Sequence, residues 1–513
     1  MPLTPAPLAT VSRPVPVRAP ANQAQNGWIP ETGFEELALT GGFSSSFTLK
    51  EDDGSVTTFK KAAADAPTWQ LSSSVKSGID GGESLVVSEV VTIDGKRVSR
   101  PKRIIGATSA VTATTCEATP SPRGCKILAF VYAITTTATA SALGDIAGQV
   151  SELKVWASEP GAANSTAVGV ARYAYDEQGS LRQVWDPGIS PALKTTYTYD
   201  SAGRVSTLTP PGQLPWTFNY GKVAAVTGAS DGMLLSVQRP TLAAGTKDQV
   251  SGTATSTVVY NVPLTPTTAP ATMGSADVAT WGQNEAPVDA TAVFPADKVS
   301  SSSDGAQLSK ADYARAMVLY MNASGRQVNQ HNPGDHITTT QYDRYGNTVM
   351  ELSAANRALA LGLTAKDTAK LAELGLGSDA AGSPARARLL ATETTFAADG
   401  SRSTDSRGLL RMLTVGKDLK AADGTVLLAA GTAAPGRTWT ATSYDAGRPT
   451  DGSATVVNQP TKETVGAELL TYPGQMADGR VTTTEYDWAK GLATKNVQDP
   501  GGLAITRITE FDD

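Results

Sequence analysis

Few side chains in this sequence are spaced for chemistry. The two histidines fall within His331-Asn332-Pro333-Gly334-Asp335-His336. A His-x4-His pair with an Asp between them has the donors for a metal. The central Pro-Gly, however, reads as a turn between strands, and a solvated turn is the expectation. With two histidines, no reactive cysteine context and no Gly-x-Ser-x-Gly elbow, neither a Ser-His nor a Cys-His catalytic unit is predicted. The sequence contains no phosphate-binding loop, dinucleotide fingerprint or calcium loop, so no cofactor or metal is expected. A glycosidase would need a carboxylate pair in a cleft, whereas most aspartates here sit in turn-like contexts. No catalytic residue is assigned.

The two cysteines, Cys116 and Cys125, flank a turn-like run with Pro120, Pro122 and Gly124 and precede apolar, β-prone residues from Ile127 to Tyr132. Across a hairpin they could close a disulfide, which would imply an oxidising compartment; the alternative is two free thiols. A zinc site would need two further ligands, and none lies within sequence reach. Trp156, Trp185 and Trp216 are candidates for stacking on carbohydrate if exposed, and ordinary core residues if not.

The elements that hold these residues read mostly as strands. The chain has 513 residues, 40% hydrophobic, and a net charge of −6. That balance gives no basic footprint for nucleic acid or for an anionic membrane. No apolar run reaches the length of a transmembrane helix. Residues 1–27 are a Pro-rich linker with no secretory h-region, so an export signal is expected upstream or by another route. Residues 28–165 form an N-terminal β-rich domain, with strand, Asp-Gly turn, strand patterns around Asp53-Gly54 and Asp94-Gly95. A short helical patch is expected at 309–317. A stronger one at 353–376 carries Leu359, Leu361, Leu363, Leu371 and Leu374; Gly362 divides it, Thr364 or Asp367 caps its second half, and Gly375 and Gly377 end it. This helical insertion, 353–390 as a domain, should lie over the sheet or plug a gap.

The decisive signal is self-similarity. Tyr173-Ala174-Tyr175-Asp176-Glu177-Gln178-Gly179 matches Tyr197-Thr198-Tyr199-Asp200-Ser201-Ala202-Gly203-Arg204, with the Tyr-Asp pairs 24 residues apart. Further copies start at Tyr320, at Tyr342-Asp343 with Gly346, at Tyr444-Asp445 with Gly447, and at Tyr486-Asp487. Tyr472 with Asp478-Gly479-Arg480-Val481 and Phe396 with Asp399-Gly400 are degenerate copies. Period-two geometry puts the rings of Tyr-x-Tyr on one strand face, where they should stack across strands. The Asp turns back onto nearby backbone N–H groups, the Gly takes a positive φ, and the following residues begin the return strand. Each unit is one antiparallel hairpin.

The consensus Tyr-Asp-x-x-Gly-Arg-Val/Leu resembles the YD repeats of RHS proteins, the toxin-complex cage subunits and the teneurins, over about residues 170–513. The resemblance implies an all-β fold: repeats at 166–352 and 391–513 winding into part of a β-shell. It implies a structural segment of a large secreted or cell-surface protein that encloses or displays a C-terminal effector. The partners would then be the remainder of that polypeptide. The alternative is a cell-surface module binding glycan, cell wall or protein. Asp499-Pro500-Gly501-Gly502-Leu503 matches the letters of the RHS cleavage motif, but Thr494 stands where a Pro is expected. It is therefore read as a turn. Thr509-Glu510-Phe511-Asp512-Asp513 matches the start of another repeat, so a longer array is expected.

Overall fold

The computed structural model describes residues 17–18, 29–30 and 38–511, apart from 43–45, 52–54, 62, 64–65, 67–68, 76–82, 94, 107–110, 227, 266, 378–381, 399 and 455. The Pro-rich linker, Asp53-Gly54, Asp94, Asp399 and Asp512-Asp513 thus fall largely or wholly outside the described residues. The protein is all-β, and its chain divides into two compact units. The first comprises Met1–Trp216, Gly447–Gln459 and Tyr486–Ala493; the second comprises Thr217–Ala446, Pro460–Glu485 and Thr494–Asp513.

In the first unit the strands form an open antiparallel meander, each pairing with the next in sequence. It runs from Ala38–Gly41 through Glu83–Ile93, Lys96–Gly106, Lys126–Tyr132, Val150–Ala157, Thr166–Tyr175, Leu181–Trp185 and Thr195–Tyr199 to Val205–Thr209. β-Branched residues at alternate positions, as in Leu85-Val86-Val87 and Val90-Val91, suit a pleated surface. The interior is small: Ile105, Ala113, Cys116, Cys125 and Ile127, with Trp156 packed against them. Cys116 and Cys125 are joined by a disulfide, their Cα atoms 5.6 Å apart. They do not staple a hairpin. Cys116 lies on a short helix, Ala113–Ala118, capped by the Thr112 hydroxyl, and Cys125 immediately precedes the strand Lys126–Tyr132. Thr114 and Thr115 favour strand by propensity; burial of Ala113 and Cys116 overrides it.

The second unit continues the pattern through Met233–Leu242, Val250–Val259, Asp289–Phe294, Met317–Met321, Gln327–Asn332, His336–Tyr342, Thr348–Leu352, Thr392–Phe396 and Ser403–Arg407. The long strand Ala433–Tyr444 pairs with Ser403–Arg407 through its second half and with Arg411–Thr414 through its first. One face of this sheet is strictly alternate and fully buried: Ala290, Ala292 and Phe294; Val318 and Tyr320; Met350 and Leu352. What covers it is the helical insertion. Helix Ala354–Leu361 starts on the Ser353 hydroxyl and ends at Gly362 with φ 66°, and helix Ala365–Glu373 starts on a Thr364–Asp367 capping box. Ala360, Leu371 and Leu374 from these helices join the strand residues in one core. Each such leucine contributes on the order of 1.5–3 kcal/mol by burial.

A third helix, Ser383–Leu390, also adds Ala387 and Leu390 to that core. Little in the residue pattern marks it, because its N-cap is Gly382, which has no side chain to cap with. The expected patch at 309–317 is a 3-10 turn, Lys310–Arg315. His331 and His336 sit on the two strands of one hairpin, as the Pro-Gly suggests. His331 is not solvated, however: it is 6% exposed, with Nε2 3.2 Å from an Asp335 carboxylate oxygen. Burial is the main cause that lowers its pKa from the usual histidine range. Among the described residues, no group of three or more His, Cys, Asp or Glu is placed to hold a metal.

Candidate functional site

The Tyr-Asp-x-x-Gly unit builds a hairpin end with a fixed hydrogen-bond set. In Asp200-Ser201-Ala202-Gly203-Arg204, one Asp200 oxygen accepts from the N–H groups of Ala202 (2.9 Å) and Arg204 (3.0 Å), and the other binds Arg204 Nε at 2.7 Å. Gly203, at φ 78°, donates its N–H to the Asp200 carbonyl. These bonds hold the Asp200 carboxyl below the usual range, the backbone N–H of Arg204 being the largest cause. Asp176 repeats the arrangement on Gln178, Ser180 and Arg182. Asp343 repeats it on Tyr345 and Asn347. Asn322 does the same for Ser324 and Arg326, so an amide can stand in for the carboxylate because the turn needs only acceptor oxygen.

The tyrosines do not stack as expected. Among the described residues no ring pair joins Tyr173, Tyr175, Tyr197 or Tyr199. Tyr175 and Tyr199 act through the hydroxyl instead. Opposite the end of each hairpin's first strand the partner strand carries a bulge: Tyr132↔Val150, Tyr175↔Leu181, Tyr220↔Leu234 (one residue before the strand's last), Met321↔Gln327, Tyr342↔Thr348 and Phe396↔Ser403 each follow a register shift. The bulge splays the return strand away from the following hairpin. The ladder to that hairpin therefore stops short, at Glu152↔Arg172, Gln183↔Thr196, Ser236↔Thr257, Asn329↔Thr339 and Asp405↔Ala441. In every case the carbonyl two residues back, at the bulge, accepts from the hydroxyl of the tyrosine three residues on. The bonds are Tyr175 to Val150 (2.6 Å), Tyr199 to Leu181 (2.7 Å), Tyr260 to Leu234 (3.0 Å), Tyr342 to Gln327 (3.1 Å) and Tyr444 to Ser403 (2.7 Å). Tyr132 bonds Pro101 by the same offsets from the Arg103↔Ala129 pair, at 2.7 Å.

Each tyrosine thus clamps its hairpin to the one before. Burial raises the hydroxyl pKa of Tyr132 and Tyr175 to about 12 and also raises Tyr199 and Tyr260, so the proton stays on the donor. Tyr132 and Tyr260 lack the Asp and were not legible as repeats. The register that reveals them is a tertiary fact.

Several copies depart from the letters. In the copy at 320, Met321 occupies the clamp position and Tyr320 points to the core, fully buried. There the ladder simply runs on, through Asp289↔Met321 and a Val288 N–H bond to Met321. At Tyr444-Asp445-Ala446-Gly447 the return strand is Pro460–Leu469, so residues 445–459 are a long connection and not a tight turn. Asp478-Gly479-Arg480-Val481 is no hairpin tip: it lies within the strand Met476–Asp487, and Asp478 accepts from Gly416 and Lys417 N–H groups. In Tyr486-Asp487 the loop is one residue longer, with Asp487 accepting from Ala489 and Lys490. Asp499 forms a turn with Gly502, Leu503 and Ala504. Trp156 packs on the disulfide core, and Trp185 is half-buried with Lys194 Nζ 4.6 Å from its ring centre.

No family model and no curated protein matches the chain. Solved structures do. "Crystal Structure of TcdB2-TccC3-Cdc42" is 12% identical over 90% of this chain and 26% of that one, with a TM-score of 0.22. "Crystal Structure of TcdB2-TccC3" is 11% identical over 92% and 25%, with a TM-score of 0.20. The Photorhabdus luminescens Tc holotoxin pore is 10% identical over 90% and 29%, with a TM-score of 0.14. The chain spans about a quarter of the length of these proteins. At such TM-scores the likeness carries no argument of its own.

Proposed function

We propose that this chain is a non-catalytic wall segment of a large exported RHS-type protein, whose continuous β-ribbon encloses or displays an effector carried elsewhere on the same polypeptide. The observation that supports this reading most is the clamp: six times between Pro101 and Tyr444, one hydroxyl ties a hairpin to its predecessor. Such a device extends a sheet hairpin by hairpin without a cofactor, which suits a scaffold. The Cys116–Cys125 bond fits an oxidising compartment and hence export. Three part-buried carboxylates of the second unit's sheet, Glu393, Asp405 and Glu468, are each bound by arginine, an arrangement suited to structure more than to proton transfer. Electron microscopy of the chain within its full-length polypeptide tests the reading. A wall around a lumen is expected; a solid body with no lumen would sink it.

A further inference from the structure

The second unit contains a pocket of about 480 Å³ at the end of the buried sheet face, beside helix Ser383–Leu390. Its floor is a cross-strand row in register: Gln341, Met350, Glu393 and Arg407. Such partners project to one side of a sheet. Arg388 from the helix and Asn284 from the loop before Asp289–Phe294 form the rim, and Val349 and Phe396 add apolar surface.

The carboxylates in this pocket and the Gln341 amide are already engaged. Glu393 takes Arg388 Nε on one oxygen and both Arg437 Nη groups on the other. Asp405 takes Arg407 Nη1 and the Trp439 indole N–H, one on each oxygen. The Asp343 oxygens hold the turn N–H groups of Tyr345 and Asn347 and the Asn347 amide. The Gln341 amide is bonded at both ends, to Asn284 N–H and the Gly282 carbonyl. The donors are not all occupied. Among the described residues, Arg407 uses Nε on Glu468 and Nη1 on Asp405, which leaves Nη2, and Arg388 uses Nε alone, which leaves both Nη groups. The Arg407 guanidinium is held in place, its carbon 4.8 Å from the Trp439 ring centre.

A pocket whose carboxylates are each engaged by arginine or turn N–H groups, and whose guanidiniums still carry N–H groups without a partner among the described residues, offers donors to an acceptor ligand. The apolar wall selects a hydrocarbon stem behind it. We propose that this pocket binds a carboxylate on a short aliphatic stem, with Arg388 and Arg407 as its donors. The carboxylate could be that of a free acid or of a glutamate side chain, and the proposal does not rest on the shell reading.

The test is titration of the full chain with butyrate, its neutral isostere butyramide, and N- and C-capped glutamate, followed by calorimetry or NMR. Saturable binding of either carboxylate, with none of butyramide, is expected. Arg388→Met should weaken it roughly tenfold, the equivalent of one charge-assisted hydrogen bond. The Arg388 side chain is 67% exposed, so the melting temperature should hold. Arg388→Lys, which keeps the charge and loses the fork, should fall between and decides the matter if the Met variant misfolds. Tighter binding of capped glutamate points to a protein side chain as the source, and tighter binding of butyrate to a free acid. No saturable carboxylate binding, equal binding of butyramide, or affinity unchanged in both Arg388 variants overturns the proposal.

Discussion

Phe396 stands at a clamp position but has no hydroxyl. The ladder between Thr348–Leu352 and Thr392–Phe396 stops at Met350↔Glu393. By the offsets seen six times, the carbonyl at the bulge is that of Thr348, and the residue three beyond Glu393 is Phe396. Phe396→Tyr should therefore place a phenol against the Thr348 carbonyl at the 2.6–3.1 Å found for the six native clamps. The ring is already half-buried, so the change adds one hydrogen bond and little else. A neutral bond of this kind contributes about 1 kcal/mol net. For a folding unit this large that is a rise of about 2 °C in melting temperature. The reciprocal change, Tyr342→Phe, removes the hydroxyl from the Gln327 carbonyl and should cost about 1–2 kcal/mol, the larger figure if water cannot reach the carbonyl. Urea unfolding monitored by tryptophan fluorescence reads both as midpoint shifts of opposite sign at constant slope. If Phe396→Tyr is neutral or destabilising while Tyr342→Phe destabilises, the offset rule is wrong. If both are neutral, the hydroxyls contribute nothing to stability.

Reduction of the buried Cys116–Cys125 pair, or its replacement by two alanines, should lower the stability of the first unit by about 2–3 kcal/mol, measured by denaturant titration with and without reductant. Gly203→Ala forces a side chain into φ 78° and should cost about 1 kcal/mol or more, whereas alanine at Gly501, which has no positive φ and open space, should be nearly silent in the same assay. The pH dependence has a definite sign. Tyr132 and Tyr175 titrate near 12 in the fold against 10.0 unfolded, so their contribution is whole below pH 10 and disappears as pH rises through 12. Unfolding followed by circular dichroism should show this alkaline loss, and Tyr175→Phe should reduce it. Stability that is flat from pH 9 to 12.5 would contradict the buried clamp.

Residue pattern alone was sufficient for what is local. The Asp-x-x-Gly turns at 176, 200 and 343 follow from a short acceptor side chain and a glycine able to take positive φ. The helices at 354–361 and 365–373 follow from Ser353, Thr364 and Gly362 as caps and stops. What depends on long-range register was decided only in the fold. The tyrosines read as stacking partners because period two sets the face but not the neighbour, and the neighbour proved to be a backbone carbonyl on the previous hairpin. Tyr132 and Tyr260 belong to the same series without the Asp, and Tyr320 faces the core because it stands two residues before the turn residue Asn322, whereas the clamps stand one residue before theirs, and successive strand residues take opposite faces. Asp478-Gly479 looks like a turn, and Asp478 does take a positive φ of 52°, but as a bulge inside the strand Met476–Asp487, where the register to Pro460–Leu469 shifts. The pocket arginines were invisible for the same reason: Arg388 and Arg407 stand 19 positions apart, and only strand pairing and helix docking bring them to one cavity.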